Sequence, residues 1–550
     1  MPYQVLLLLI LCLGGFLIVN KAALWFPRGS RADKVTLVLV GSVAALAVFG
    51  YTRFGNFFGP SSTGLRTFHY HDIYHYALGA KYFQELGYYS LYDCTYVALR
   101  DLSARGVSIP SITDIRSLQN PDVSLPAGQV YDLKQNECRA RFAPERWRAF
   151  QSDLKVFLDL GWQDQWWRVM LFDLGFNPPP TWNLIMGRLI NLVPINPASL
   201  SLLPFWDMLL IFPVAGYLIW RSFGAYPAGG YLIAAGTSWL ASYEWTGGSF
   251  SRQTWLFLLI VALCCLKKGS YRTSAVFFAL TSAFRIFPVF FFLGAVWALL
   301  GRAYRQADLR VRLVNFLFYF AATASLLFLG SVLWYGTESW ADFFHKIIKH
   351  GSTFWVMHIG FDKYAVFSPA IAGQNFWFAD GLVRFVAWQE RLRAIYAAHF
   401  LWFTLIKWGA LSAALGIGWR VREWLSALLI GGTILFFFQM PANYYYMYLA
   451  LFPVVIFPAR PDWRAAVRLA LVFALLAAVS VMPLLSPDQI IHNGYINTLV
   501  FCFFLLLYLT FLPPRYSRAF LRKLASRFGR RSKLARLKST LEMGSSRSPE

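Results

Sequence analysis

Charge is what this chain has least of. Only 14% of its 550 residues are Asp, Glu, Lys or Arg, whereas 57% are hydrophobic. A soluble globular domain carries about 25% charge, so the deficit excludes that class and marks a polytopic membrane protein. Apolar runs of about 17–25 residues, enough to cross a bilayer, recur along the chain. Acidic residues are scarcest, 27 against 51 Lys and Arg, for a net charge of +24. That excess does not point to nucleic acid. It sits in short loops between the runs and in the tail 515–547, the positive-inside pattern with a solvated end able to touch anionic lipid. No basic residue precedes the first apolar run, 5–18, and Lys21 follows it. A signal peptide has the opposite order, so the run reads as an uncleaved span with its N-terminus outside.

Familiar catalytic signatures are missing as well. There is no GxGxxG, P-loop, CxxC pair or GxSxG, which argues against nucleotide hydrolysis by this chain. HExxH is absent, and the eight histidines include no adjacent pair, which argues against a histidine-box di-iron centre. No metal and no cofactor is expected. Cysteine is sparse: Cys12, Cys264, Cys265 and Cys502 fall in spans, where the residue is a small hydrophobe. Cys94 and Cys138 fall in the first large loop. They are either one disulfide, if that loop is extracytoplasmic, or two unrelated thiols. Apart from the Ser/Lys/Arg-rich tail there is no low-complexity segment, and no internal repeat.

What is abundant is aromatic: 18% of residues, with 22 Trp, many flanking the spans as interfacial belts do. Spans are expected near 4–20, 35–51, 200–220, 225–242, 253–266, 273–284, 287–300, 313–334, 398–418, 425–440, 444–458, 465–484 and 495–513. The run 273–300 would make a single helix of roughly 42 Å, against a hydrocarbon core of about 30 Å. Basic clusters lie at both of its ends, and one crossing would put one of them outside. Two halves broken at 285–288 put both inside, and Pro288 supplies the break. Such a break is tolerated at membrane depth where it lines a cavity. The expected organisation is then two N-terminal spans (1–51), a large extracytoplasmic loop (52–199), a bundle (200–334), a second outside loop (335–397), a C-terminal bundle (398–513) and a basic cytoplasmic tail (514–550). The fold class is all-α, about 13 crossings, with the large loop carrying short surface helices near 145–160 and 164–174.

Chemistry concentrates in residues 67–93, TFHYHDIYHYALGAKYFQELGYYSLYD. Asp72 lies at or just outside the membrane surface, well placed as a general base on a membrane-bound substrate. Its plainer reading is a helix N-cap before Ile73. His71 and His75 are candidate substrate-binding residues beside it, with Tyr74 and Asp93. Arg252 stands at the outer end of a span, followed by Gln253, and Arg285 stands at the expected break. An Arg in mid-bilayer costs about 2.5–3.5 kcal/mol on insertion scales, so it faces a cavity or partner, or snorkels to the interface. A guanidinium grips phosphate oxygens bidentately. Two of them suit the phosphate of a lipid-linked substrate. In the second loop His345, Lys346, Lys349, His350 and Lys363 form a basic cluster, read as a solvated helix face or a headgroup site. Tyr445, in an aromatic run at a span's outer end, is a sugar-stacking candidate or part of a belt.

This set resembles the GT-C fold glycosyltransferases, most nearly the polyprenol-phosphate-mannose-dependent mannosyltransferase (GT87-like) group. Asp72, Tyr74, Gly79-Ala80, Gly87 and Leu91-Tyr92-Asp93 follow the order of that group's first outside loop. Pro178-Pro179 is similar to its YPP segment without the Tyr, and Arg285 with Pro288 to its basic-x-x-Pro element. The chain departs from the group in an extra span before the loop and in the loop's length, and it has no DxD pair. The resemblance implies a GT-C-like bundle and inverting transfer of a sugar from a polyprenyl-phosphate donor to a glycan or lipid acceptor. In that reaction Asp72 would be base, Arg285 and Arg252 would hold the departing phosphate, and the site would face outward from a bacterial inner membrane. The competing expectations are a transporter or flippase of a lipid-linked sugar, and an O-antigen-ligase-like enzyme acting through His345, His350 or His358.

Overall fold

The computed structural model describes residues 2–24, 29–61, 64–161, 164–369, 379–486 and 488–512. The basic tail therefore lies outside the described residues. Among them the chain is helical apart from two short antiparallel hairpins, Pro60–Ser61 with Gly64–Leu65 and Asp114–Arg116 with Ser124–Pro126. Among the described residues seven helices are long and apolar enough to cross a membrane: Tyr3–Ala23, Arg31–Tyr51, Pro197–Phe223, Asp308–Tyr335, Phe400–Gly418, Trp463–Leu485 and Gln489–Phe511. The protein is an all-α membrane protein. The long helix Asp308–Tyr335 leaves apolar side chains such as Leu326 and Leu333 exposed, a surface that lipid rather than water would cover. Thr254–Lys267 and Glu423–Phe438 are shorter, apolar all round and mostly buried, as helices inside a bundle are.

The run 273–300 is broken as its charge pattern requires. Tyr271–Phe284 ends at Arg285, which is extended (φ −148°, ψ 135°), and Val289–Arg305 starts directly after Pro288. Two other expected spans differ. Residues 225–242 give a helix only over Ala225–Gly236, followed by a π-helical turn at Tyr243–Gly247. Residues 444–458 are not a regular α-helix but a 3₁₀ stretch, Asn443–Leu451, and one short α turn, Phe452–Ile456. Long-range bonds compete with helix here: Asn443 donates its N–H to the carbonyl of Met357, and the Tyr446 hydroxyl donates to that of Ile359.

The polar segment before Pro197 packs as a domain of short helices: Leu91–Ser103, Ala127–Ala140, Pro144–Asp159 and Asp164–Met170. The last two match the expected surface helices, the final one ending early. Cys94 and Cys138 are joined as a disulfide that ties the first two together. The second polar segment contributes Glu338–Gly351, Phe361–Val366 and Ala379–Ala398. Its basic cluster is not one solvated face: His345 is exposed, but the others are engaged with the protein. Lys346 is buried and donates to the carbonyl of Tyr88 (2.9 Å). Lys349 pairs with Asp122 (2.6 Å). Lys363 is buried and donates to the carbonyls of Trp355, Val356 and His358. The ammoniums of Lys346 and Lys363 hold backbone in place, and those carbonyls satisfy them in turn, as buried donors require.

Candidate functional site

The site is built on a helix that starts one residue after His69. Tyr70–Ile73 runs into a π-helical turn, Tyr74–Leu78, a local widening frequent at functional sites. Asp72 is therefore inside the first turn and is not the N-cap; its carboxylate is free to turn away from the helix. The start of this helix is clamped to the turn that precedes Arg252. His69 donates its N–H to the carbonyl of Gly248 (2.8 Å), and the Tyr243 hydroxyl donates to that of Thr67. A Cβ on Gly248 would come within 2.6 Å of the His69 nitrogen, so only glycine allows this approach.

That clamp brings Arg252 to Asp72. The Arg252 guanidinium donates to the Asp72 carboxylate in a buried ion pair, and His69 Nδ1 lies 3.4 Å from the second carboxylate oxygen. Burial on its own would raise the Asp72 carboxyl, but the charge of Arg252 and the His69 contact outweigh it and lower it to about 2. Arg252 also sits over the rings of Tyr444 (4.2 Å) and Tyr76 (5.0 Å), cation–π contacts that help hold a desolvated cation. Its backbone is fixed by Asp207, whose carboxylate accepts from the Gln253 N–H and the Thr254 hydroxyl, both at 2.8 Å.

Arg285 meets Arg252 at Tyr76. Its Nη2 donates to the Tyr76 hydroxyl (3.0 Å), its Nη1 donates to the carbonyl of Phe284 (2.9 Å), and its guanidinium lies 5.3 Å from the Tyr76 ring centre. The break that exposes Arg285 is tied to the polar domain, where the Thr181 hydroxyl donates to the carbonyl of Ala283 (2.6 Å). Both guanidiniums are buried, and neither Nε has a hydrogen-bond partner. They line one cavity of about 540 Å³ with Asp72, Tyr76, Tyr444 and Tyr445, within the range of small-molecule sites. Tyr445 packs on Phe287, just before Pro288 (4.8 Å between ring centres).

On the polar-domain side of the same cavity lie His71, His75 and Asp173. His71 Nε2 is 2.8 Å from Asp173 Oδ2. Burial works against a charged His71, but the charge and hydrogen bond of Asp173, then the charge of Asp72, outweigh it and raise its pKa. His75 Nδ1 faces the carbonyl of His71 (2.7 Å), so it carries the proton, and Nε2 accepts from the Tyr92 hydroxyl (2.8 Å). Donor atoms of His71, His75 and Asp173 converge within 4.8 Å. With both His75 nitrogens committed to the protein, the cluster is a hydrogen-bonded unit rather than a prepared metal site. Across the cavity His350 and His358 approach Nε2 to Nε2 at 3.3 Å. Burial lowers both below the usual histidine range, His350 to about 4.

Of the residues singled out in the sequence, Asp72, Arg252, Arg285, His71, His75, His350, His358 and Tyr445 line this cavity. Tyr74, Asp93 and Gln253 do not. Tyr74 is fully buried behind the helix, its hydroxyl bonded to Thr95 (2.7 Å). Asp93 faces Lys134, Glu137 and Arg141, where burial raises its carboxyl to about 6. Gln253 is buried beside Asp207. Sequence reasoning saw Tyr444 only as part of the aromatic run around Tyr445, and passed over Tyr76 and Asp173. Asp173 alone carried a signal, as a carboxylate four residues before the rigid NPPP that leads back to the apolar helices. The arrangement can bind an oxyanion on two guanidiniums and move a proton on the carboxylate and histidine side. Compared with known proteins, the chain matches no family model, no curated protein and no solved structure.

Proposed function

We propose that this protein is a membrane glycosyltransferase that moves a sugar from a polyprenyl-phosphate donor to a glycan or lipid acceptor by inverting transfer. The observation that carries the reading is the pair of buried guanidiniums, Arg252 and Arg285, sharing Tyr76 in one cavity. A glycosyl phosphodiester brings one negative charge. When the bond from the anomeric carbon to the phosphate oxygen breaks, the departing lipid phosphate gains a second. Fixed cations at that position stabilise the developing charge most where water is excluded. The cavity's aromatic walls suit a sugar ring, and the apolar helices suit a polyprenyl tail. The order of motifs from Asp72 to Asp93, similar to the polyprenol-phosphate-mannose-dependent group, supports the same donor class. In this reading the cavity opens to the extracytoplasmic side of a bacterial inner membrane, and the C-terminus is cytoplasmic.

The attacking hydroxyl must lose a proton, and two groups on the cavity wall are candidates to accept it. One is Asp72, the base expected from sequence. The other is the His71–Asp173 pair.

The test is transfer from a panel of radiolabelled polyprenyl-phosphate sugars to extracted membrane glycans, with purified wild type and Arg285→Met. Transfer by the wild type that falls at least tenfold in the variant supports the reading. Movement of the labelled donor between leaflets without transfer would replace it with a flippase. Transfer only from pyrophosphate-linked oligosaccharides would favour a ligase, for which the His350–His358 pair is the relevant feature.

A further inference from the structure

Asp72 is poorly free to take a proton. Both of its oxygens are engaged, one by Arg252 and the other 3.4 Å from His69 Nδ1, and only 5% of the residue is exposed. Accepting a proton there means giving up a buried ion pair. His71 is different. Its Nε2 is spent on Asp173, and its Nδ1 has no hydrogen-bond partner among the described residues, while the ring lines the cavity. With Asp173 ionised, Nε2 carries the hydrogen and a neutral ring leaves its lone pair at Nδ1. The ring is also held: His75 donates to the carbonyl of His71, and the two rings pack at a tilt with their centres 4.6 Å apart. A carboxylate that orients one nitrogen of an imidazole while the other meets the substrate is the arrangement of a general base.

We propose that Nδ1 of His71, oriented by Asp173, is the catalytic base that takes the proton from the acceptor hydroxyl, while Asp72 acts as the counter-ion that holds Arg252 for the donor. The inference rests on the glycosyl-transfer reading and names its proton acceptor. The acceptor oxygen forms a bond to the anomeric carbon as the bond from that carbon to the phosphate oxygen breaks. The hydroxyl proton passes to His71, the imidazolium releases it to water, and the second charge stays on the lipid phosphate between Arg252 and Arg285. The groups facing His71 are Asp173, Asp72, Arg252 and His75, with the His69 ring 6.0 Å away. Lys346 and His350 approach from the second polar segment and act on Asp173.

The experiment compares full-length wild type, His71→Gln, Asp173→Asn and Asp72→Asn in lipid nanodiscs. Each is supplied with the tritiated polyprenyl-phosphate sugar that the wild type uses and an octyl glycoside acceptor, and binding of polyprenyl phosphate is read from tryptophan quenching. His71→Gln is expected to lower kcat by about 10²–10⁴-fold with donor KM and polyprenyl phosphate binding within about threefold. Asp173→Asn removes the charge that raises His71, so its kcat falls and the acid limb of the pH profile moves to lower pH. That shift tests the proposal even if His71→Gln fails to fold. Asp72→Asn is expected to raise donor KM more than it lowers kcat. Near-normal kcat in His71→Gln, with kcat abolished and donor bound in Asp72→Asn, overturns the proposal and leaves the transferase standing. An unshifted acid limb in Asp173→Asn overturns it, as does turnover lost to EDTA and restored by a divalent cation. No transfer by wild type from any donor overturns the transferase and this proposal together.

Discussion

Replacing Asp72 by Asn isolates the energetics of the site from its chemistry. Asn keeps the size of the side chain and removes the charge that faces Arg252. The guanidinium then remains buried without its counter-ion, and breaking such a pair from one side costs about 3–5 kcal/mol. A second estimate comes from the carboxyl itself. Its pKa falls from 3.8 to about 2 on folding, which corresponds to about 2 kcal/mol of stabilisation. The sign follows from the depressed value: this contribution is present above about pH 4 and fades as pH drops through 2. The rings of Tyr76 and Tyr444 remain to Arg252 and soften the loss, so Asp72→Asn should destabilise by about 2–4 kcal/mol at pH 7. Arg252→Met should cost a similar amount, by stranding the carboxylate. The double variant should lose much less than the sum of the two, because it strands neither group. Thermal unfolding of the detergent-solubilised protein, followed by tryptophan fluorescence, gives all four corners of the cycle. Additive losses, or an Asp72→Asn protein as stable as the wild type, would refute the buried pair as the organiser of this site.

Other expectations are as direct. The disulfide joins residues 44 apart, and closing a loop of that length is worth about 4 kcal/mol in the chain-entropy account. Cys94→Ser with Cys138→Ser should therefore speed proteolysis of the polar domain many-fold while the apolar helices stay protected. Arg285→Lys keeps the charge but loses the planar fork, so it should raise donor KM by about tenfold and retain more activity than Arg285→Met. Burial lowers Lys346 from 10.5 to about 7, so the fold disfavours its charged form. The penalty is complete below about pH 7 and disappears as pH rises towards 10.5. Stability should climb across that window in wild type and climb less in Lys346→Met, read from pH-dependent unfolding midpoints.

How far the sequence spoke for itself depended on the range of the interaction. The break at 285–288 was legible because its signals are local: Pro288 cannot donate, and basic clusters flank both ends of the run. The helix carrying Asp72 was legible in place but not in phase, because its start is set by Gly248 and Tyr243, far away in the chain. Hydropathy saw residues 444–458 as a span, since apolar composition does not distinguish a 3₁₀ stretch tied to Met357 and Ile359 from an α-helix. The cations of the second polar segment looked like a solvated face because the carbonyls that Lys346 and Lys363 cap have no signature in sequence. Asp72 with Arg252 and His71 with Asp173 are separated by 180 and 102 residues. Each residue could be noticed, but no pairing could.

The distance between Asp72 and Arg252 along the chain also has a meaning during synthesis. At about 5–20 residues per second, some 9–36 s pass between the emergence of the first and of the second, over the 180 residues that separate them. Tyr444, which covers Arg252 from the other side, arrives later still. A nascent or prematurely terminated chain thus carries half an anion site with nothing to close it. The cavity wall is complete only when the last third of the polypeptide, which supplies Tyr444 and Tyr445, has been made, so a chain that stops short of them leaves its buried guanidiniums uncovered.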